Sequence, residues 1–344
     1  MKRLNACLGG SRRSSAAFVL TRLFSLAACL LASNGYVHAS PSCVSHMPEL
    51  WLAPLDEHFA SQGKGIHDFD RLIDADWRHD PVLQNVRVLK LYPSFVHGQT
   101  DSRLTSLFRT LRNADVRLAL EASALSPTAY CRGQLKSDGT ELTPSLLQRI
   151  GHLGGRVDYI AMNEPLLHAF RQRDHECEAE VVHAAAIAVR PMVVEARSVF
   201  PNLKVGDIEP IGGDDRIRPF ISSFRKWTEE YRAVVGEKLS FFHVDVDWRR
   251  GGPWTTAAQN VAGTMAQAGI PFGIIYNGVD TDPSGEGWVA HASQHFEDGR
   301  VEGLAPAAVI FQSWAEFPKK FFSTGDHDSF ADLISSYLQG GPCN

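Results

Sequence analysis

The chain has 344 residues, is 44% hydrophobic and 21% charged, and carries 34 basic against 39 acidic side chains for a formal net charge of −5. That composition belongs to an ordinary soluble globular protein and excludes collagen-like, mucin-like and intrinsically disordered classes. It also excludes a general nucleic-acid binder, and the length accommodates one α/β barrel, a fold of roughly 250 residues or more, as a single domain.

The first segment reads as an address. Basic residues Lys2, Arg3, Arg12 and Arg13 precede an apolar run from Leu23 to Ala32, and the small residues Val37 and Ala39 stand ahead of Ser40. This is the pattern of a secretory signal peptide over residues 1–39, cut after Ala39, with a periplasmic or secreted domain over 40–344. Arg22 and Asn34 interrupt the run, so it is not expected to span a membrane. Leu26-Ala27-Ala28-Cys29 offers lipoprotein anchoring through Cys29 as a variant, and Ser11-Arg12-Arg13 faintly resembles a twin-arginine signal. Cys43, Cys131, Cys177 and Cys343 remain in the mature chain, without zinc spacing, and an even count in an oxidising compartment reads as two disulfides. Of the three connectivities, Cys43 with Cys343 and Cys131 with Cys177 is the favoured one, and four free thiols is the alternative.

From there, eight short apolar segments recur. Strand cores are predicted at Leu50–Leu55, Val86–Tyr92, Val116–Glu121, Val157–Met162, Leu203–Ile208, Leu239–Asp247, Pro271–Tyr276 and Ala307–Gln312, and their starts are separated by 36, 30, 41, 46, 36, 32 and 36 residues. Each interval is long enough for a crossover helix. Leu104, Leu107, Phe108 and Leu111 recur at helical spacing, as do Val182, Ala185, Ala186 and Val189, and Phe220, Phe224, Trp227 and Tyr231. Strand plus helix, eight times over, predicts a single (β/α)8 TIM barrel of the α/β class. The rival, a doubly wound open sheet, lacks a glycine-rich GxGxxG turn after any strand.

Strand alternation predicts which residues face inward. In the sixth strand Phe242, Val244 and Val246 take the helix side, while Phe241, His243, Asp245 and Asp247 take the other; in the third, Leu118 and Leu120 oppose Arg117, Ala119 and Glu121. Charged inward residues need partners, so internal ion pairs are the plainest explanation for any one of them. Polar and aromatic groups nevertheless end all eight strands: Asp56 and Glu57, Lys90 and Tyr92, Glu121, Asn163 and Glu164, Asp207 and Glu209, Asp245, Asp247 and Trp248, Tyr276 and Asn277, and Ser313 and Trp314. The C-terminal rim carries the chemistry in this fold, and carboxylates flanked by aromatic faces suit a sugar. Trp51, Trp77, Trp227 and Trp288 are left as core packing.

Ala161-Met162-Asn163-Glu164-Pro165 at the fourth strand, with Ser313-Trp314 at the eighth, resembles the large clan of retaining (β/α)8 glycoside hydrolases that includes cellulases, mannanases and xylosidases. The resemblance covers residues 48–320 in architecture and only these positions in motif. It implies that Glu164 is the general acid/base, Asn163 a partner of the hydroxyl beside the anomeric carbon, and Trp314 the platform under the sugar. The clan's nucleophile is a glutamate ending the seventh strand, where this chain has Ile275-Tyr276-Asn277-Gly278.

Two replacements are available. Glu209, in Gly206-Asp207-Ile208-Glu209-Pro210, is taken first, and Asp247 second. A carboxyl separation of roughly 5 Å implies retention, and one of roughly 6.5–9.5 Å implies inversion. The expected function is therefore a secreted, monomeric glycoside hydrolase acting on a poly- or oligosaccharide without cofactor or metal. Glu164, Glu209 and Asp247 are its catalytic candidates, and Asn163, Lys90, Tyr92, Glu121, His243, Asp245, Trp248, Tyr276, Asn277 and Trp314 its substrate-binding candidates. A non-catalytic carbohydrate-binding barrel is the alternative. A metal-dependent hydrolase using His243, Asp245 and Asp247 is weaker, since no HxH or HExxH motif occurs.

Overall fold

The structure, a computed structural model, describes residues 47–55, 63–123, 142–171, 180–212, 221–248 and 253–341. The expected signal peptide, Asp56, Glu57 and all four mature-chain cysteines lie outside these residues. Contacts group Cys43–Asn344 into one compact unit.

Eight parallel strands close into a barrel in chain order. They are β1 (Glu49–Ala53), β2 (Val86–Leu91), β3 (Arg117–Ser123), β4 (Val157–Asn163), β5 (Lys204–Ile211), β6 (Phe242–Val246), β7 (Phe272–Tyr276) and β8 (Ala308–Gln312). β8 returns to β1 through the register Leu50 to Val309 and Leu52 to Phe311, which completes the closure. The expected (β/α)8 barrel is thus the observed fold. Two strand boundaries moved with consequence. β6 is shorter than expected because Leu239–Phe241 runs beside β5 before β7 begins, with Ser240 N–H donating to Val205 O at 2.8 Å. β5 is longer, continuing past Ile208 to pair Glu209 with Val244 and Pro210 with Asp245.

Ten helices are described. They are α1 (Phe69–Asp74), α2 (Pro93–Gly98), α3 (Asp101–Ala114), α4 (Pro144–His152), α5 (Pro165–Arg171), α6 (Val181–Val199), α7 (Phe224–Val235), α8 (Trp254–Ala268), α9 (Gly285–Val301) and α10 (Phe330–Gln339). The apolar stripes read from period are their buried faces: Leu104, Leu107, Phe108 and Leu111 on α3, and Val182, Ala185, Ala186 and Val189 on α6. Local signals set the ends. Thr100 caps α3 by accepting from Arg103 N–H, and Asp115 in the left-handed region terminates it. No helix among the described residues is long and apolar enough to cross a membrane.

Two cores follow from strand alternation. Leu118, Leu120, Phe242, Val244 and Val246 join the large outer core beneath the helices, as their parity predicts. Trp51, Ala119, Tyr159, Ile208, Phe241, Ile275 and Ile310 form a separate cluster along the axis. Bulky and small residues interlock there: the Phe241 ring lies over Gly206, and the His243 ring lies against Gly273, where an added Cβ would sit 2.5 Å from Cδ2. Near the N-terminal end, Arg117 is shared by Glu49 and Tyr159, and Trp51 Nε1 donates to Glu49 at 2.8 Å. Among the described residues the barrel is filled below its C-terminal mouth, the end at which this fold generally carries its functional groups. A Gly206→Ala substitution would drive a methyl into the Phe241 ring. It is expected to cost about 1–3 kcal/mol, read as a lowered urea midpoint without loss of parallel-barrel circular dichroism.

Candidate active site

Glu164 is built by three adjacent signals. Asn163 ends β4, Pro165 opens α5 where a missing N–H costs nothing, and Glu164 between them takes φ +52°. Such a backbone costs a residue with a Cβ on the order of 1–3 kcal/mol, and it persists only when neighbours over-determine it. Here Glu164 N–H donates to Ile208 O at 2.8 Å, and Glu164 O accepts from His168 N–H at 2.9 Å. The side chain is 21% exposed, and Oε2 lies 3.9 Å from His168 Nε2. Nothing in the sequence reading singled out His168. Its spacing of four from Glu164 on a helix was the available signal.

Beside Glu164 the mouth is dominated by acids. Asp245 is partly exposed, yet its Oδ1 is buried without a hydrogen-bond partner among the described residues. Burial and then Glu164 push its carboxyl well above the usual aspartate range. Glu121 and Asp247 push further, and Lys90 opposes them. Asp247, two residues on from Asp245 and half-buried, is the next inward position of the sixth strand, and its N–H donates to Ile211 O at 3.0 Å. Glu164, Glu121 and Asp247 therefore all act electrostatically on Asp245.

The cation of the mouth is already committed. Lys90 is fully buried; its Nζ donates to Glu121 Oε2 and, at 2.6 Å, to Gln312 Oε1. Gln312 Nε2 in turn donates to the Tyr92 hydroxyl at 3.0 Å, so Lys90, Glu121, Gln312 and Tyr92 form one connected network. A buried ammonium needs this satisfaction, since an unpaired one would cost several kcal/mol. Gln312 was read only as the last residue of strand eight. Its parity with Trp314, two positions on, was the clue that it faces inward. Ser313 braces the turn that follows, donating to Phe317 O and accepting from Ala315 N–H at 3.2 Å. Trp314 stays partly exposed while packing on the axial cluster, where it can offer a ring face to the mouth.

Several candidates stand elsewhere. Glu209 is fully buried and turned to the helix side of β5, where Oε1 accepts from Leu166 N–H at 2.6 Å and Oε2 from Leu167 N–H at 3.2 Å. The sequence reading ended the strand at Ile208 and so left Glu209 at the rim. The strand continues, and alternation points Glu209 away from the axis. Asp207 shares that side, accepting from Trp227 Nε1 at 2.6 Å. Tyr276 follows inward Ile275 and therefore lies outward, edge-on to Phe296 at 6.0 Å. Asn277 is buried, accepting from Trp248 Nε1. Trp248 is partly exposed, with one ring face stacked on His295 at 3.5 Å. His243 is buried between Trp51 and Phe241 at ring distances of 4.8 and 4.5 Å, and burial and then Lys90 hold its imidazole well below the usual range. It packs the axis, and among the described residues no group of three or more His, Cys, Asp or Glu is placed to hold a metal.

No family model matches the sequence, and no curated protein matches it. Among solved structures the chain is similar to the carboxyl transferase domain of Rhizobium etli pyruvate carboxylase (TM-score 0.48, 12% identity, covering 86% of this chain and 44% of that one). It is similar also to a β-glucosidase from Thermotoga maritima (0.46, 11%, 79% and 86%) and to an HpcH/HpaI aldolase from Desulfitobacterium hafniense (0.40, 9%, 85% and 91%). The chain spans less than half the length of the carboxyl transferase structures. At these scores the matches bear on neither activity nor substrate.

The outward acids have a measurable consequence. Burial raises Asp207 to about 8, with Glu164 adding to the rise and Trp227 opposing it. Between about pH 4 and 8 the native chain keeps a proton that the unfolded chain releases, so this group's contribution to stability falls as pH rises. Asp207→Asn retains an acceptor for Trp227 and removes the titration. Its unfolding free energy, relative to the parent, is expected to improve by more than about 1 kcal/mol from pH 4 to pH 8, measured by urea denaturation at both.

Proposed function

We propose that this chain is an exported glycoside hydrolase that cleaves a poly- or oligosaccharide at the C-terminal mouth of its barrel. Glu164 acts as general acid and Asp247 as the facing carboxylate. The observation that carries the reading is Glu164 itself. An acid in a left-handed strand-end conformation, partly exposed, acts electrostatically on Asp245 at the same mouth. Buried cavities of the axis offer no such combination, because they are filled by Trp51, Phe241 and His243.

The roles follow from position. Glu164 donates a proton to the glycosidic oxygen as the bond to the anomeric carbon breaks. Asp247 accepts a proton from the water that attacks the opposite face. Asp245, whose surroundings favour its neutral form, donates a hydrogen bond to a sugar hydroxyl, and Asn163, Tyr92 and the Lys90–Glu121–Gln312 network define the floor. Trp314 supplies the stacking face. β5 separates β4 from β6, so the two acids follow strands that are not neighbours, which favours room for a water between their carboxyls and hence inversion over direct attack. The amino-terminal address and the four cysteines of the mature sequence support a periplasmic or extracellular location, with Cys43 to Cys343 and Cys131 to Cys177 as the proposed bridges.

One observation favours a second reading. No carboxylate ends β7: Asn277 stands there, buried and engaged by Trp248. A carbohydrate-binding barrel without turnover fits that feature. A screen of the purified chain on plant and bacterial polysaccharides separates the two. On the substrate it identifies, Glu164→Gln and Asp247→Asn are each expected to lower kcat more than about a hundredfold while binding persists, and proton NMR of the first product should show an inverted anomer. Wild-type turnover by Glu164→Gln would remove the acid assignment, and binding without hydrolysis across the panel would establish the second reading.

A further inference from the structure

Glu209 has no part in the reaction proposed above, yet it is the acid most tightly engaged with the turn that carries Glu164. It lies on the side of β5 away from the barrel axis, fully buried, and its two oxygens accept from the N–H groups of Leu166 and Leu167 at 2.6 and 3.2 Å. Those donors belong to the first turn of α5, which begins at Pro165 directly after Glu164. On the other side of Glu164, its own N–H donates to Ile208 O at 2.8 Å. Consecutive residues of one strand, Ile208 and Glu209, thus hold the chain at the acid's own N–H and again two and three residues beyond it. The grip meets a need, because φ +52° at Glu164 is a conformation that a residue with a Cβ leaves when released.

We infer that Glu209 is a positioning residue, clamping the first turn of α5 so that Glu164 stays left-handed with its carboxyl in the mouth. The inference rests on the reading of Glu164 as the acid. If the clamp loosens, the backbone relaxes toward negative φ and swings the carboxyl away from the glycosidic oxygen, and displacements near 1 Å cost about a hundredfold in rate. Burial, Asp207 and Glu164 push the Glu209 carboxyl well above the usual range, and the Leu166 and Leu167 N–H groups oppose the rise. The group suits the place because both of its oxygens face those two donors, whereas an amide offers one oxygen and sets its own N–H against the other donor.

The test compares Glu209→Gln, Glu209→Asp and Glu164→Gln in the whole chain, by kcat, KM and pH–rate profile on the glycan that the parent hydrolyses, and by amide hydrogen exchange. For Glu209→Gln the expected result is a kcat at least tenfold lower with KM within twofold. The pH–rate limb that disappears in Glu164→Gln should be displaced, and exchange should quicken at Leu166, Leu167 and His168 but not in β1, β2 or β8. Glu209→Asp, which keeps the carboxylate one methylene short, should fall between, and carries the same test if the glutamine variant does not fold. Parental kcat in Glu209→Gln, or exchange quickened throughout the barrel in step with lost activity, would overturn the clamp. Parental turnover in Glu164→Gln instead overturns the acid assignment on which the clamp rests. If the parent hydrolyses no glycan, that assignment has failed, and unchanged exchange at Leu166 and Leu167 in Glu209→Gln then rejects the clamp as well.

Discussion

Closure of eight parallel strands leaves each strand side chain two destinations, the axis or the helices, and the alternation of the pleat decides between them. Everything of functional interest in this chain follows from that constraint. Asp245 and Glu121 reach the mouth because their parity is inward, and Glu209 and Tyr276, equally polar and equally close to strand ends, do not. The same rule fills the axis with Trp51, Phe241 and His243, the last two set against Gly206 and Gly273.

At that mouth, charge is arranged unequally. Lys90 meets Glu121 and Gln312 inside the barrel, while burial and the neighbouring Glu164 make negative charge costly on Asp245 and Lys90 only partly offsets them. Asp207 and Glu209, on the far side of β5, extend the same field into the helix layer, and Glu164 raises both. Fully buried acids are thus linked to a partly exposed one.

Glu164 also shows how a strained residue is kept. Its left-handed backbone is opposed by local sterics and supported by Ile208, Glu209 and the start of α5. A strand, rather than a loop, supplies that support.

The barrel was legible in the chain because its evidence is local and repeated: eight apolar runs at even pitch, helical stripes between them, and no competing glycine-rich turn. The strand-end places of Asn163, Glu164 and Trp314 were legible from the same pattern. The direction of Glu209 was not, since one misplaced strand end converts a buried brace into a rim acid, and strand ends are set by pairing with neighbours distant in sequence. Internal pairing of Lys90 and Glu121 was legible from their inward parity, but the part of Gln312 in that network and the stack of His295 on Trp248 were not, for their members lie far apart along the chain. Sequence by itself determined which elements form and which faces they bury, because period and propensity act over a few residues. Only the tertiary structure decided which polar groups meet, because hydrogen bonds and charge act between atoms brought together by closure of the sheet.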